Sequence, residues 1–369
     1  MRIVFICQAV DAADPMQPTT VRWIDALARH PAVTRVTAVA LRVGEHHLPP
    51  HVEVRSIGHR RRSARLGRFY GEMLRAVRRG VDCFFVYQGG HYPLLLLPFR
   101  MLLGKPVYQW KAHPYVSPVM RLYARFCDDK VFTSTPSAFP VALPNVRVVG
   151  QGIDTDRFRI VPGPKQERWV TVGRISPVKQ VDRMLRALAR CNRRFGTRHG
   201  LDLYGPTPEI HLAYRQALER LVVTEGLDGL VTFHGPVRQE TLPDVLGAYT
   251  IFLHFCDGAL DKTVVEAMAC GLPVLSTNRC VAEIVPDHLR SSLILPGDDV
   301  EAQAAGMRAA GKWDADTRAG LGEQLRSLVL ERHSVARLFD KMLGEMRHEN
   351  PDPELDHPTE RTDCSAPAR

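Results

Sequence analysis

Twice along this chain a series of short apolar runs alternates with helical stretches, and that rhythm leaves few folds open. In the first series, residues 3–7, 36–43, 52–57, 83–87, 107–110, 130–133 and 146–149 read as strands, with helical spacing over 19–29, 63–79, from 92, and over 119–126. In the second, strands are expected over 169–172, 201–204, 231–234, 251–255, 273–276 and 292–295. Helices are expected over 177–193 and 208–225, in a short piece ending at Gly247, over 263–270, and through most of 298–345. Apolar strands joined through helices build parallel sheets covered on both faces. The expected fold is α/β, two Rossmann-like, doubly wound parallel-sheet domains facing a cleft, since open sheets of this kind hold ligands at the carboxyl ends of their strands.

Between the series lies a passage without periodicity, holding Gly150, Gly152, Pro162, Gly163 and Pro164, which reads as a linker. The expected division is a first domain over 1–150, the linker over 151–166 and a second domain over 167–330. A last helix over 331–348 is free to pack back on the first domain. An acidic tail over 349–369 lacks apolar periodicity and reads as disordered. At 369 residues with 45% hydrophobic side chains, the chain can fill two cores.

The eight cysteines form no C-x-x-C pair or Cys/His ladder, and Cys7, Cys83, Cys256 and Cys270 lie in apolar runs, which implies a reducing compartment and no structural metal. The apolar run 92–103 is broken by Pro98 and Arg100 and falls short of the roughly 20 residues a spanning helix needs. The apolar start, 1–7, is too short for a signal segment. These features point to a cytoplasmic protein.

Glu266 is the residue least explained by folding. The segment from Thr263 to Cys270 is apolar on every side except there, and a buried carboxylate costs several kcal/mol unless it is satisfied. Either an arginine pairs with it or a hydroxyl-rich ligand reaches it; a ligand is the reading taken here. A hundred residues upstream, the strand 169–172 runs into Gly173, Arg174, Ser176, Pro177 and Lys179. Ser176 suits an N-cap and Pro177 a first helical position, so free N–H groups and two cations should form an anion site. The start of the Glu266 helix, with Asp261, Lys262, Thr263 and Val264, supplies a second set of free N–H groups and a hydroxyl, and a carboxylate one turn deeper can accept from a diol. Diphosphate and diol together describe a nucleoside diphosphate.

Simpler motifs fail. Thr155 stands where a dinucleotide fingerprint following Gly150 and Gly152 needs a third glycine. Asp154 and Asp156 have the form of a metal-binding pair, but in a linker they read as a solvated turn.

In order along the chain, Gly173 to Lys179, Leu203 to Pro206, Val231 to Gly235, Glu266 to Val274 and Glu283 to Val285 resemble the donor domain of family 4-type, GT-B fold glycosyltransferases. The linker, Gly150 to Phe158, is similar to that family's crossing segment. The resemblance implies a retaining, metal-independent transferase using a nucleotide sugar, UDP or GDP, with no cofactor, acting on a polysaccharide, glycolipid or small-molecule acceptor. Arg174 and Lys179 would stabilise the departing diphosphate and Glu266 would bind the ribose. Gly173, Gly205, His234, Asp257, Gly258, Asp261, Lys262, Thr263 and Val264 would line the donor site. The family's first acid of its E-x7-E motif is absent, because Gly258 occupies that place; Asp257 and Asp261 are the neighbouring alternatives. On the acceptor side the resemblance points to the loop from Gln8 through Pro18, Thr19 and Thr20 to Arg22. It also points to His113 as an active-site histidine, with His91 as a second candidate.

The net charge is +9, and the tail's six acids against two arginines leave the rest of the chain more basic still. Helix 63–79 carries Arg65, Arg68, Arg75, Arg78 and Arg79 around an apolar stripe, either a solvated face over a core or an anionic membrane contact through residues 60–79. No nucleic-acid module surrounds these arginines, so no nucleic-acid partner is expected. An epimerase or phosphorylase of the same fold, or a non-catalytic nucleotide-sugar binder, are the rival readings.

Overall fold

Central strands such as Cys83–Tyr87 and Tyr249–His254 are buried at every position, so each sheet has to be covered on both faces. In the computed structural model, which describes residues 1–13 and 19–347, the first series builds seven parallel strands. In chain order its elements are β1 (Arg2–Val10), α1 (Thr20–Arg29), β2 (Arg35–Val43), β3 (Val52–Ser56), α2 (Arg62–Arg78), β4 (Cys83–Tyr87), α3 (Tyr92–Leu103), β5 (Val107–Trp110), α4 (Pro118–Phe126), β6 (Lys130–Thr133) and β7 (Val146–Val148). The strand order is β3-β2-β1-β4-β5-β6-β7. Helices α2 and α3 cover one face through Phe69, Met73, Leu96 and Phe99, while α1 covers the other through Trp23, Ile24 and Leu27.

The second series builds β8 (Gln166–Val172), α5 (Val181–Phe195), β9 (Leu201–Tyr204), α6 (Leu212–Thr224), β10 (Val231–Gly235), α7 (Leu242–Gly247), β11 (Tyr249–His254), α8 (Lys262–Ala269), β12 (Val274–Ser276), α9 (Arg279–Ile284), α10 (Asp287–Leu293), α11 (Val300–Ala310) and α12 (Ala315–Arg332). Its five strands are also parallel, in the order β10-β9-β8-β11-β12. Close backbone approach fixes α8 against α12: a side-chain carbon at Gly322 would lie 2.0 Å from the Gly271 carbonyl oxygen. A last helix, α13 (Val335–Arg347), joins the first unit, inserting Leu338, Phe339 and Met342 beside Trp23. The Tyr108 hydroxyl donates to the Met346 carbonyl at 3.1 Å, and Lys130 pairs with Glu345. The two compact units are thus Met1–Gly152 with the segment from Val335, and Ile153–Ser334. Segment 349–369 and Pro18 lie outside the described residues.

Three sequence expectations fail locally. Residues 292–295 are not a strand: Leu289 and Leu293, four apart and both buried, belong to α10, and only Ile294 bridges to Ser276. Gln8 does not open a loop, since β1 continues through buried Ala9 and Val10 and pairs with Arg42 and Val43. The helix expected from residue 177 starts late. Residues Pro177–Lys179 close a single 3-10 turn, Gln180 turns left-handed at φ 45°, and α5 begins after it.

Candidate functional site

All five strands of the second unit run the same way, so their carboxyl ends share one edge, and the motif residues collect there. Gly173 follows β8 and Gly205 follows β9, and the two backbones nearly touch: a side-chain carbon at Gly205, whose φ is +145°, would stand 1.9 Å from the Gly173 carbonyl oxygen. That position therefore requires glycine. The same construction at Gly173 meets the Lys179 side chain at 3.6 Å, so the lysine lies along the glycine.

Lys179 does not reach free into solvent. Its ammonium pairs with Asp261, the residue before α8, and the same carboxylate oxygen accepts from His254 Nε2 at 3.0 Å. The other ring nitrogen of His254 lies 2.9 Å from Ser276 Oγ, which accepts the Asn278 backbone N–H at 3.1 Å. This chain of bonds fixes one histidine tautomer, with Nε2 as donor and the serine hydroxyl donating to Nδ1. Burial pushes His254 below its ordinary value, against the pull of Asp261. Burial also pushes Asp261 up, yet the Lys179 ammonium and the His254 contact hold its carboxyl far below the carboxylate range. The ion pair is thus the stable state of this corner.

Ser176 is buried but makes no cap, contrary to expectation, and its hydroxyl finds no partner. The physical reason is the turn that follows. Gln180 is tied through its amide to the Asp257 carboxylate, and the Asp257 N–H donates to the Val178 carbonyl at 3.3 Å, which holds the loop in its 3-10 geometry. Asp257 therefore braces the Lys179 loop. Gly258 sits between, its N–H on Cys256 Sγ and its carbonyl accepting from Asn278 at 2.9 Å.

Glu266 lies in the second turn of α8, about 7–8 Å along the axis from Asp261 at 1.5 Å per residue. Its side chain is 2% exposed and one carboxylate oxygen has no partner; Gln239 satisfies the other. Burial pushes its carboxyl up to about 7, with Lys262 and Gln239 pulling the other way. Of the two sequence alternatives, pairing with an arginine is not what the structure builds. Thr263 Oγ1 on the first turn is also buried without a partner, and Val264 behind it is in the core. Arg174 is exposed beside Gly173. His234 stacks on Tyr204 at 4.4 Å and reaches Asp202 at 3.3 Å, so it belongs to a network that also holds Arg168.

Among the described residues, His254, Cys256 and Asp261 bring possible ligand atoms within 4.8 Å of one another. A lysine ammonium already occupies that carboxylate, and burial raises the Cys256 thiol to about 11, so the group suits a proton-bearing network better than a cation.

In the first unit, Thr19 precedes α1 without a side-chain cap, Thr20 is buried with its hydroxyl unpartnered, and Arg22 is half-buried. His113 is exposed, its Nδ1 3.2 Å from both the N–H and the carbonyl of Tyr115. His91 is exposed at the start of α3.

Sequence reasoning missed His254, Gln180, Gln239 and Asn278. One signal was available: His254 is the lone polar side chain in an apolar strand run, which demands a partner as Glu266 does.

Residues 166–310 match the sequence model of a family described as "Glycosyl transferases group 1". Among curated proteins, the chain is 29% identical over 178 residues to a D-inositol 3-phosphate glycosyltransferase of Streptomyces avermitilis, 44% of this chain and 38% of that one. It is 28% identical over 220 residues to a GDP-mannose-dependent alpha-(1-6)-phosphatidylinositol monomannoside mannosyltransferase of Mycobacterium tuberculosis, 53% of this chain and 55% of that one. The chain thus spans about half or less of these relatives' lengths. Among solved structures, Anabaena Alr3699/HepE in complex with UDP and glucose superposes with a TM-score of 0.75 at 16% identity, covering 94% of this chain and 100% of that one. Sucrose-phosphate synthase from Thermosynechococcus elongatus gives 0.73 at 17%, covering 94% and 99%. At such identities the likeness establishes the fold, which is GT-B.

Proposed function

With residues 166–310 a group 1 glycosyl transferase domain on a GT-B fold, we propose that the chain moves a sugar, with retention and without an essential metal, from a nucleoside diphosphate sugar to a polysaccharide, glycolipid or small-molecule acceptor. One observation carries this reading. Gly173, Lys179 and Asp261, drawn from two segments some ninety residues apart, join through contacts at one sheet edge, and Glu266, further along the helix that Asp261 precedes, has a carboxylate oxygen left over. A ribose diol donating to Glu266 would satisfy that oxygen, and a diphosphate at the Gly173 turn would meet Arg174 and the lysine. Similar proteins support UDP or GDP as the carrier, since one neighbour holds UDP and one relative is GDP-mannose-dependent.

Arg174, exposed beside Gly173, and the Lys179 ammonium held by Asp261 would together attract a leaving diphosphate. Departing charge is where fixed cations act most strongly. Asp261 keeps the ammonium placed before the donor arrives, and Asp257 braces its loop. Replacing Arg174 or Glu266 by alanine is expected to abolish transfer and weaken nucleotide binding; undiminished turnover in either variant contradicts these roles. The absence of an acid at Gly258 favours a second reading, a nucleotide-sugar binder without turnover, and slow hydrolysis of a nucleotide sugar by the purified chain counts against it.

Attachment to an anionic membrane is a further part of the proposal. Arg60, Arg61, Arg62 and Arg68 are exposed around Leu66 at the start of α2, and Leu74 is exposed further along it. Helix α4 presents Val119, Leu122 and Phe126 outward beside Arg121 and Arg125. Apolar side chains rimmed by arginines suit the boundary between headgroups and acyl chains.

A further inference from the structure

Charge is not shared between the two units. The first, residues 1–152 with 335–347, carries 24 lysines and arginines against 11 acids, whereas residues 153–334 carry 23 of each. With the two arginines and six acids of residues 349–369, these make up the chain's 49 basic and 40 acidic residues. The whole positive surplus therefore sits on the first unit. The acidic segment leaves from that same unit, because it follows α13.

The amino edge of the first sheet presents a groove of matching sign. Strands β1 and β2 begin with Arg2 and Arg35, which lie opposite each other in the parallel register. With Thr34, His51 and Arg79 they line an open groove of about 820 Å³ whose one carboxylate is Glu53. Glu53 is already shared by Arg55 and Arg79, and Arg2 pairs with Asp82 at 3.2 Å. Arg35 is exposed and pairs with no carboxylate among the described residues. The groove thus keeps a net positive charge and one guanidinium without a counter-ion.

Helix α13 ends close to this edge. Glu345 pairs with Lys130, the first residue of β6, and the Met346 carbonyl accepts from Tyr108, the second residue of β5. From β5 to β2 is three strand spacings, about 14 Å at roughly 4.8 Å each. At about 3.3 Å per residue, the stretch from Arg347 to Asp356 reaches about 30 Å, enough to cross the edge and turn onto the α2 side. Asp352, Glu354 and Asp356 occupy alternate positions among Pro351, Pro353 and Pro358. Proline favours extended backbone in itself and in the residue before it, and alternate residues of an extended chain face one way, so three carboxylates about 7 Å apart would share a side. A tethered partner acts at an effective concentration on the order of millimolar, which populates contacts too weak for a free peptide.

We propose that the acidic segment 349–369 docks in the arginine groove of its own first unit, setting Asp352, Glu354 and Asp356 against Arg2, Arg35 and Arg79. Held there, its carboxylates offset the charge along α2 and weaken the bilayer contact proposed above. That consequence rests on the membrane reading; the docking rests on charge and reach alone.

The test uses the full chain carrying Arg35→Lys, which keeps the charge and adds an amine for a zero-length carbodiimide. In an equal mixture of isotope-labelled and unlabelled chains, mass spectrometry is expected to find position 35 joined to Asp352, Glu354 or Asp356 within single chains. The product should fall severalfold in about 0.5 M NaCl, where exposed charges are screened beyond a few ångströms. Products joining a labelled to an unlabelled chain, or none involving the segment, overturn the proposal. Flotation with phosphatidylcholine vesicles containing phosphatidylglycerol reads the consequence. Asp352→Asn, Glu354→Gln and Asp356→Asn together are expected to tighten binding about threefold or more, but by less than about 1.5-fold when Arg35→Glu is already present. Equal tightening in both backgrounds means that the acids act only through net charge, and overturns the proposal. If no form binds the vesicles, the membrane reading fails, and the cross-link still decides the docking.

Discussion

Replacing Glu266 by glutamine should stabilise the protein and disable it together, and the pH at which each effect appears follows from the structure. The carboxyl is 2% exposed, half satisfied, and raised by burial from 4.5 to about 7. At about 1.4 kcal/mol for each tenfold change, that gap is worth roughly 3 kcal/mol. Because the folded value lies above the unfolded one, the protonated form favours folding. The stability it contributes is complete below about 4.5 and is lost as pH rises towards about 7, since the folded state there holds a proton that the unfolded state has released. Glu266→Gln removes this loss. Denaturant titrations should show the variant close to wild type at pH 4.5, with an advantage that grows through pH 6 and levels off above 7 at about 1–3 kcal/mol. Nucleotide binding should behave oppositely. A diol donates best to the ionised carboxylate, so wild-type affinity should rise through pH 7 with release of a proton, and the variant should lose affinity and that pH dependence. A variant less stable than wild type at pH 8, or one that binds nucleotide with the same pH profile, refutes the reasoning.

Two further outcomes are expected. Gly205→Ala forces a side-chain carbon to 1.9 Å from a carbonyl oxygen at a φ only glycine adopts with ease, so it should cost on the order of 3 kcal/mol or more and move the Gly173 turn, read as a lower Tm and weaker nucleotide binding. Vesicle sedimentation should show binding to anionic bilayers that weakens with salt and fades in the variant lacking Arg60, Arg61 and Arg62; equal binding to neutral bilayers removes the membrane contact.

The fold was legible because its signal is redundant: seven strands and then five, most with an apolar centre, tolerate errors of a residue or two. Where one signal stood alone, it misled. Leu289 and Leu293 mark a helix by their spacing, but the short apolar run 292–295 read as a strand because nothing in a window that short separates the two. Ser176 and Pro177 have the chemistry of a helix start, yet the geometry is decided by Asp257, eighty residues away, which no local rule contains. Glu266 was legible because a carboxylate in an apolar helix is costly wherever it lies. The pairing of Lys179 with Asp261, and of Asp261 with His254, was not, because each partner alone is an ordinary residue and only the parallel sheet brings them to one edge.

Sugar transfer by this chain depends on one donor being held by both segments at the edge of the second sheet. A thermal-shift panel of UDP, GDP, ADP and TDP sugars tests it directly, since a ligand at 100 times its dissociation constant stabilises by about 2.7 kcal/mol. The structure predicts a clear rise in Tm with one of these nucleotides that is lost in both Arg174→Ala and Glu266→Gln. A rise that survives in either variant, or none with any nucleotide, contradicts it.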